Sequence, residues 1–289
     1  MADLLCGERL GLDRLAEADP VFFRDFRVLD NLLDSEPRYI PRCNYFNEVQ
    51  PDLKPFMRKV VSTWMMEVCE EERCEDQVFS TAVNLLDRFL CECRIDKSQL
   101  QMIACVCLLV ASKMRQCHAL TVGRLVYFTD NSVTPDEIRQ FELVVLSRLK
   151  WDIATVTGFD YVDHVLERVT WSREQPLIRR HARTLVDLCY TEPALFRKSP
   201  ALIASGCLVA AARGLKVGAA SAASVCGLTR CRVEDVETAV VFIESLVEAQ
   251  VPTTPRPPPA PTAPAKHAPA PEDDPRHPET PTDVQEIFF

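Results

Sequence analysis

The chain has 289 residues, of which 47% are hydrophobic and 26% are charged, and its formal net charge is -9. That length predicts about two domains, each large enough to bury its own core. The acidic balance argues against direct nucleic-acid binding, because phosphates demand a basic surface. The uncharged runs at 103–112 and 199–212 are far shorter than the ~20 apolar residues of a membrane span, so we expect no membrane segment.

Thirteen cysteines raise the question of a disulfide framework or a metal site. No C-x-x-C spacing occurs, the histidines form no zinc-type cluster, and the odd count without a secretory leader indicates reduced thiols in the cytosol or nucleus. Cys117 beside His118 is a conceivable nucleophile pair, but sequence neighbours rarely face each other and nothing supplies an oxyanion site. We therefore expect no catalytic residue, no metal and no cofactor.

Taken in chain order, apolar residues at helical spacing predict five helices between residues 53 and 149. The first has Pro55 in its first turn, and its positions 53, 56, 65 and 68 are expected to face the core. The last begins with Thr134, Pro135 and Glu137 as N-cap, first-turn proline and capping-box acid. The third is apolar nearly all round, which indicates a central helix. The predicted ranges are 53–72, 76–91, 97–114, 120–128 and 134–149.

A second set of five helices is predicted from an internal repeat. When the chain is shifted by one hundred residues, nine of 34 positions between 80–113 and 180–213 are identical, and they include Asp87 with Asp187 and Cys107 with Cys207. The sequence therefore predicts two similar all-α bundles joined near 152–157, each with its third helix at the centre. The second set covers 157–169, 176–191, 200–213, 218–226 and 232–250.

The C-terminal segment differs in composition from the two bundles. Residues 251–282 hold twelve of the 21 prolines and almost no bulky apolar residue, so they cannot bury enough surface to offset chain entropy. We expect a disordered proline-rich tail and a loosely held N-terminal arm. The predicted divisions are 1–20 for the arm, 21–154 for the first bundle with a preceding helix, 155–250 for the second bundle and 251–289 for the tail.

Several local strings resemble those of D-type cyclins, in the family's order and spacing. They are MRKVVSTWMMEVCEEERCEDQVF, NLLDRFL, VASKM, YFTDNSV and RLKWDIATVT, with LLCGE and TPTDV near the two ends. The resemblance covers nearly the whole chain and is strongest over 39–165. It implies two tandem cyclin boxes and a regulatory subunit, not an enzyme, that activates a cyclin-dependent kinase of the 4/6 type at the G1/S transition.

The resemblance also implies which residues bind the kinase. Lys113 and Glu142 match the family's lysine and glutamate that grip the kinase near its mobile αC helix, which positions a glutamate needed for catalysis. Without the resemblance, Lys113 would be read as a cation suited to a helix C-terminus and Glu142 as part of a solvated face.

A substrate-docking patch is implied on the first predicted helix. Met57, Val60, Val61 and Trp64 match the family's hydrophobic patch for Arg-x-Leu motifs of substrates and inhibitors, and Glu67 is the acid that could pair with the arginine of such a motif. Their spacing makes one helical stripe, which suits a docking groove. Core packing explains the same periodicity, and both interpretations remain open from the sequence.

Two short motifs lie near the ends of the chain. Leu4, Cys6 and Glu8 satisfy L-x-C-x-E, by which an extended segment binds retinoblastoma-type pocket proteins; Gly7 stands where the subfamily commonly has cysteine. Thr280, followed by proline, resembles the phosphorylation site that marks D-type cyclins for nuclear export and for a ubiquitin ligase. The acidic run that often precedes this site is reduced to residues 272–274.

The main hypothesis is thus a kinase-activating subunit that directs phosphorylation of retinoblastoma-like proteins, located in the nucleus and cytoplasm. One alternative is a two-box transcription factor, for which a basic face and a zinc ribbon would be typical, and this chain has neither feature in its sequence. Another is a cyclin-fold scaffold that acts without a kinase. The sequence contains no nucleophile with its base and no phosphate-binding loop, so it does not favour an enzyme.

Overall fold

The structure is a computed structural model that describes residues 19–174, 176–217 and 222–250. Within these ranges every regular element is a helix, so the predicted all-α class is confirmed. The same ranges contain no helix long and apolar enough to cross a bilayer and no group of three or more side chains suited to holding a metal ion. Most of the predicted arm and the whole predicted tail lie outside them.

The first box consists of five helices, of which one is central. Every residue from Met102 to Ser112 of this central helix is buried, because the other four helices pack around it. Thr134 caps the last helix and forms the predicted capping box with Glu137. The helices are α4 (Pro55–Glu71), α5 (Gln77–Glu92), α6 (Leu100–Arg115), α7 (Val122–Phe128) and α8 (Pro135–Arg148), after the short α3 (Tyr45–Glu48).

The second box repeats this arrangement. Its central helix is buried without interruption from Ile203 to Ala212 and contacts the other four helices of the box. The pattern of two apolar third helices is therefore a reliable indication of two bundle centres. The helices are α9 (Gly158–Leu166), α10 (Leu177–Thr191), α11 (Pro200–Gly214), α12 (Ala222–Thr229) and α13 (Val233–Gln250).

Two helices, α1 (Pro20–Arg24) and α2 (Phe26–Ser35), precede the first box in the chain but pack against the second. Leu29 and Leu33 of α2 share a small core with Tyr161 of α9 and with residues of α11. Beyond α2, the buried Glu36 carboxylate accepts hydrogen bonds from the Tyr161 hydroxyl at 2.9 Å and the Ala201 amide at 3.1 Å. The Tyr39 carbonyl accepts a hydrogen bond from Asn84 of α5 at 2.8 Å, so the N-terminal segment contacts both boxes.

Candidate partner-binding surfaces

Lys113 and Glu142, which lie 29 residues apart in the chain, form an ion pair on the surface of the first box. Lys113 directly follows the buried run of α6, in its last turn, and Glu142 lies on the neighbouring α8. The lysine Nζ lies 2.5 Å from Glu142 Oε1, with side chains 49% and 17% exposed. The pair is accessible to a partner, and the glutamate orients the lysine in the absence of one.

Exposed apolar side chains adjoin this ion pair in the sequence. Met114 is 47% exposed, and Leu143 and Val144 are 64% and 38% exposed. The last two line a shallow surface depression together with Arg148. A cation and an anion among exposed apolar groups are typical of a protein interface. Sequence reasoning missed these three residues, although the continuous apolar run at 143–146 exceeds what one buried helical stripe needs.

The docking stripe on α4 is divided between the core and the surface. Val61 is 6% exposed and belongs to the core, whereas Val60 is 65% exposed. Met57 and Trp64 are half-buried and pack against the core with part of each side chain outward. Glu67 is exposed two turns beyond Val60. The surface available to a partner is thus the edge formed by Met57, Val60, Trp64 and Glu67.

One core prediction for α4 is wrong. Phe56, which the periodicity places toward the core, is 63% exposed, and Leu53 is buried but lies before the helix, which begins at Pro55. The buried face passes through Arg58, Val61 and Met65 instead. Phe56 and Val60 are one turn apart on the outer face and extend the apolar area beside the docking edge.

The buried Arg58 stabilises the orientation of α4 through paired polar contacts. Its guanidinium makes two hydrogen bonds to the Asp87 carboxylate, at 3.1 and 2.8 Å, and the Tyr45 hydroxyl donates to the same carboxylate at 2.8 Å. Burial alone would lower the pKa of Arg58, but the paired carboxylate outweighs it and raises that pKa. Burial and Asp87 together raise the pKa of Tyr45. Rotation of α4 would leave a buried charge unpaired.

The same arginine connects the two boxes. Its remaining terminal nitrogen donates to the carbonyl oxygens of Tyr190 and Thr191 at the end of α10, at 2.8 and 3.0 Å. Beside it, Lys59 pairs with Glu192 at 2.5 Å. The helix that carries the docking stripe is therefore held on its inner face by the second box. Sequence reasoning missed this role, although a charged residue at an otherwise apolar helical position was the signal.

The pocket-protein motif of Leu4, Cys6 and Glu8 and the phosphorylation site Thr280 lie outside the described residues. The structure brings Lys113 and Glu142 together and exposes part of the predicted docking stripe. The binding roles of these residues, like the two terminal motifs, stay predictions.

Comparison with known proteins agrees with this architecture. Residues 27–154 match the family model described as the cyclin N-terminal domain. The solved structure of a viral cyclin from herpesvirus saimiri has a TM-score of 0.67 and 26% sequence identity, and the likeness covers 77% of this chain and 97% of that one. The similarity to this structure extends beyond the first box.

Sequence relatives narrow the family further. The chain is 45% identical over 216 residues to G1/S-specific cyclin-D2 of Xenopus laevis, which covers 74% of both chains. It is 39% identical over 301 residues to G1/S-specific cyclin-D3 of Homo sapiens, which covers 99% of this chain and 100% of that one. Both alignments extend over most of the chain, so the resemblance to D-type cyclins inferred from local motifs is confirmed. The chain belongs to the G1/S-specific D-type cyclins and is a regulatory subunit, not itself an enzyme.

Proposed function

We propose that this cyclin binds and activates a cyclin-dependent kinase of the 4/6 type and directs it to retinoblastoma-like proteins. Membership of the D-type family supports the choice of kinase. The observation that carries the proposal is the accessible Lys113–Glu142 ion pair, with exposed Met114 and Leu143 beside it in the chain. These groups provide both charge and apolar area for contact with a mobile kinase helix.

Activation by such a surface requires no chemistry from the cyclin. An inactive kinase lacks the lysine–glutamate pair that positions ATP, because its αC helix is displaced. The Lys113 ammonium only donates hydrogen bonds, and the Glu142 carboxylate accepts them. Together they can bind both the carbonyl and the amide groups of a partner's backbone. The buried α6 and the capped α8 hold both groups in place before binding, which reduces the entropy lost on association.

The first test is copurification of the full-length chain with a 4/6-type kinase, followed by phosphorylation of a retinoblastoma C-terminal fragment. We expect Lys113→Glu to weaken kinase binding at least tenfold, which corresponds to about 1.4 kcal/mol. Lys97→Glu is the matched control, because Lys97 is an exposed lysine just before the opposite end of α6. Equal activation by wild type and Lys113→Glu would refute the assignment.

Failure of the folded wild-type chain to bind the kinase would refute the proposed function itself. A scaffold or transcription regulator that acts without a kinase would then be the better hypothesis. The circular dichroism spectrum of each variant shows whether the helices are intact, so loss of binding is separated from unfolding.

We also propose that the outer edge of α4 docks Arg-x-Leu motifs of substrates and inhibitors. Its accessible part comprises Met57, Val60 and Trp64, and Glu67 supplies a carboxylate for the arginine of the motif. Val61 contributes through packing from beneath, since it is buried.

The terminal motifs complete the proposal on the basis of sequence. Leu4, Cys6 and Glu8 would add an extended segment to a pocket protein, which brings the substrate to the kinase independently of α4. Phosphorylated Thr280 would supply a dianionic ligand for a ubiquitin ligase and would direct movement from nucleus to cytoplasm. Glu8→Lys should reduce capture by a retinoblastoma pocket without altering kinase activation.

A further inference from the structure

The C-terminal end of α4 brings two cysteines together through its backbone geometry. Arg73 has φ 49°, its amide donates to the Glu70 carbonyl at 3.1 Å, and the Cys74 amide donates to the Cys69 carbonyl at 2.9 Å. These two bonds define a Schellman motif, in which the side chains of the residues corresponding to Cys69 and Cys74 commonly pack together. Here both of those side chains are thiols.

The backbone bond places the two cysteines within disulfide range. Given the lengths of the N–Cα, Cα–C and C=O bonds, an amide-to-carbonyl distance of 2.9 Å keeps the two Cα atoms within about 7 Å. Cys69 is 8% exposed and Cys74 is half-buried, so an oxidant reaches Cys74 more readily. Three other helices, α7, α8 and α11, end in the same motif, and in these positions they have Val126 with Asn131, Leu146 with Trp151, and Ala212 with Val217.

The thiols also have different ionisation tendencies. Hydrogen bonding from Cys69 lowers the pKa of Cys74, against an opposing effect of burial, and a further bond from the Gln116 side chain lowers it as well. The interaction with Cys74, together with burial, raises the pKa of Cys69. Cys74 is the more accessible thiol and the one whose pKa is lowered, so it is the better nucleophile of the pair.

We propose that Cys74 and Cys69 form a modification site for hydroperoxides, in which Cys74 is oxidised first and Cys69 then closes a reversible disulfide. The Cys74 thiolate attacks one oxygen of hydrogen peroxide and becomes a sulfenic acid, and the other oxygen leaves as hydroxide, which takes a proton to form water. The Cys69 sulfur attacks the sulfenic sulfur, and a second water leaves. Two thiols and one peroxide give one disulfide and two waters.

The chain contains an internal comparison for this chemistry. The sulfurs of Cys189 and Cys207 lie 3.6 Å apart, but the two residues are only 1% and 0% exposed. Burial raises the pKa of Cys207. Proximity without access should leave this second pair reduced in the folded protein. Cys117 is exposed and reports whether oxidant is present in excess.

The test is peptide mapping of the full-length folded chain after treatment with limiting hydrogen peroxide. Trypsin cleaves after Arg73 and separates the two cysteines, so a disulfide appears as peptides 60–73 and 74–88 linked together, two hydrogen atoms lighter than their sum. We expect this link to form before any Cys189–Cys207 link and to disappear with dithiothreitol. Oxidation of Cys117 while the Cys69–Cys74 link is absent would overturn the proposal.

Two variants establish the order of the steps. Cys74→Ser should abolish the link, and Cys69→Ala should leave Cys74 as a sulfenic acid that dimedone captures. If the buried Cys69→Ala substitution prevents folding, dimedone added to wild type during oxidation gives the same answer, since it competes with Cys69 for Cys74. Dimedone capture at Cys69 instead of Cys74 would contradict the assigned roles.

Discussion

At the scale of single residues, two aspartates at equivalent repeat positions have opposite environments. Asp87 is neutralised by Arg58. Asp187 lacks the corresponding arginine, because the position one hundred residues after Arg58 is Gly158. No side chain fits there without movement, because a Cβ on Gly158 would lie 3.1 Å from a Val186 methyl carbon. Asp187 Oδ1 is buried without a hydrogen bond, and burial raises its pKa well above the usual value.

Removal of Arg58 should therefore be severe. We expect Arg58→Met to lower the free energy of unfolding by about 3–5 kcal/mol, because the Asp87 charge stays buried without its partner. Arg94→Met is the control, since Arg94 pairs with Asp52 while their side chains are 65% and 59% exposed, and it should cost under about 1 kcal/mol. Urea denaturation of both variants measures the difference, and equal losses would contradict the role of the buried pair.

Asp187 should make stability depend on pH in the opposite sense from a paired carboxylate. Burial raises its folded pKa, Asp76 and Glu70 raise it further, and Arg183 opposes them. A carboxyl group whose pKa is raised by folding stabilises the folded state at pH values below its unfolded pKa, which is about 3.9 for aspartate. This stabilisation is lost as the pH rises through the folded pKa.

Asp187→Asn should consequently stabilise the protein near neutral pH, by about 1 kcal/mol. The gain should shrink as the pH is lowered, because the wild-type carboxyl then becomes neutral as well. Denaturation midpoints across a pH series test this, with Asp96→Asn, an exposed aspartate, as the comparison. A gain that is constant with pH would show that ionisation of Asp187 is not its cause.

At the scale of helices, α4 has a different task on each face. Its inner face holds Arg58, Val61 and Met65 against both boxes, and its outer face presents Val60 and Phe56 to solvent. A substitution on the outer face can therefore alter docking without disturbing the core.

Val60→Asp should weaken Arg-x-Leu docking at least tenfold, because it places a charge in the apolar part of the proposed patch. Kinase binding should not change, since Lys113 and Glu142 lie on α6 and α8. Val241→Asp on α13 is the matched control, as the two valines are 65% and 63% exposed. Phosphorylation of one substrate with and without its docking motif measures the effect. Unchanged preference for the motif would exclude this edge as the docking site.

Local signals in the sequence were sufficient to predict the helices and some of their ends. The apolar third helices and the Thr134 capping box depend on residues a few positions apart, and both were predicted correctly. The buried face of α4 was not fully predictable, because Arg58 is buried by carbonyl groups about 130 residues away, at Tyr190 and Thr191. Phe56 lies two residues before Arg58 and therefore on the opposite side of the helix, where it is exposed.

At the scale of the whole molecule, the two boxes are held together at more than one place. Arg58 and Lys59 link α4 to the end of α10, and Arg38 pairs with Asp152 at the junction between the boxes. The N-terminal segment adds a third connection, since α2 packs on α9 and α11 and the Tyr39 carbonyl accepts a hydrogen bond from Asn84 of α5.

Leu29→Ala should test the contribution of α2. Leu29 is 2% exposed, and its truncation should cost about 2–3 kcal/mol, at the lower end of the range for buried leucine. Amide hydrogen exchange should rise in α9 and α11 and stay unchanged in α5. Val21→Ala, at a residue 75% exposed, should have no such effect. Equal increases in both boxes would show that α2 stabilises the molecule as a unit and not the second box in particular.

The position of Arg58 beneath the docking helix has a thermodynamic consequence. If docking is strongest in the orientation of α4 that Arg58 maintains, then a bound Arg-x-Leu peptide must favour the joined arrangement of the two boxes by the same free energy. Reciprocity would make α10 part of substrate recognition, although it contributes no side chain to the docking stripe. Substitutions in α10 would then change substrate preference, although the residues that contact the substrate stay the same.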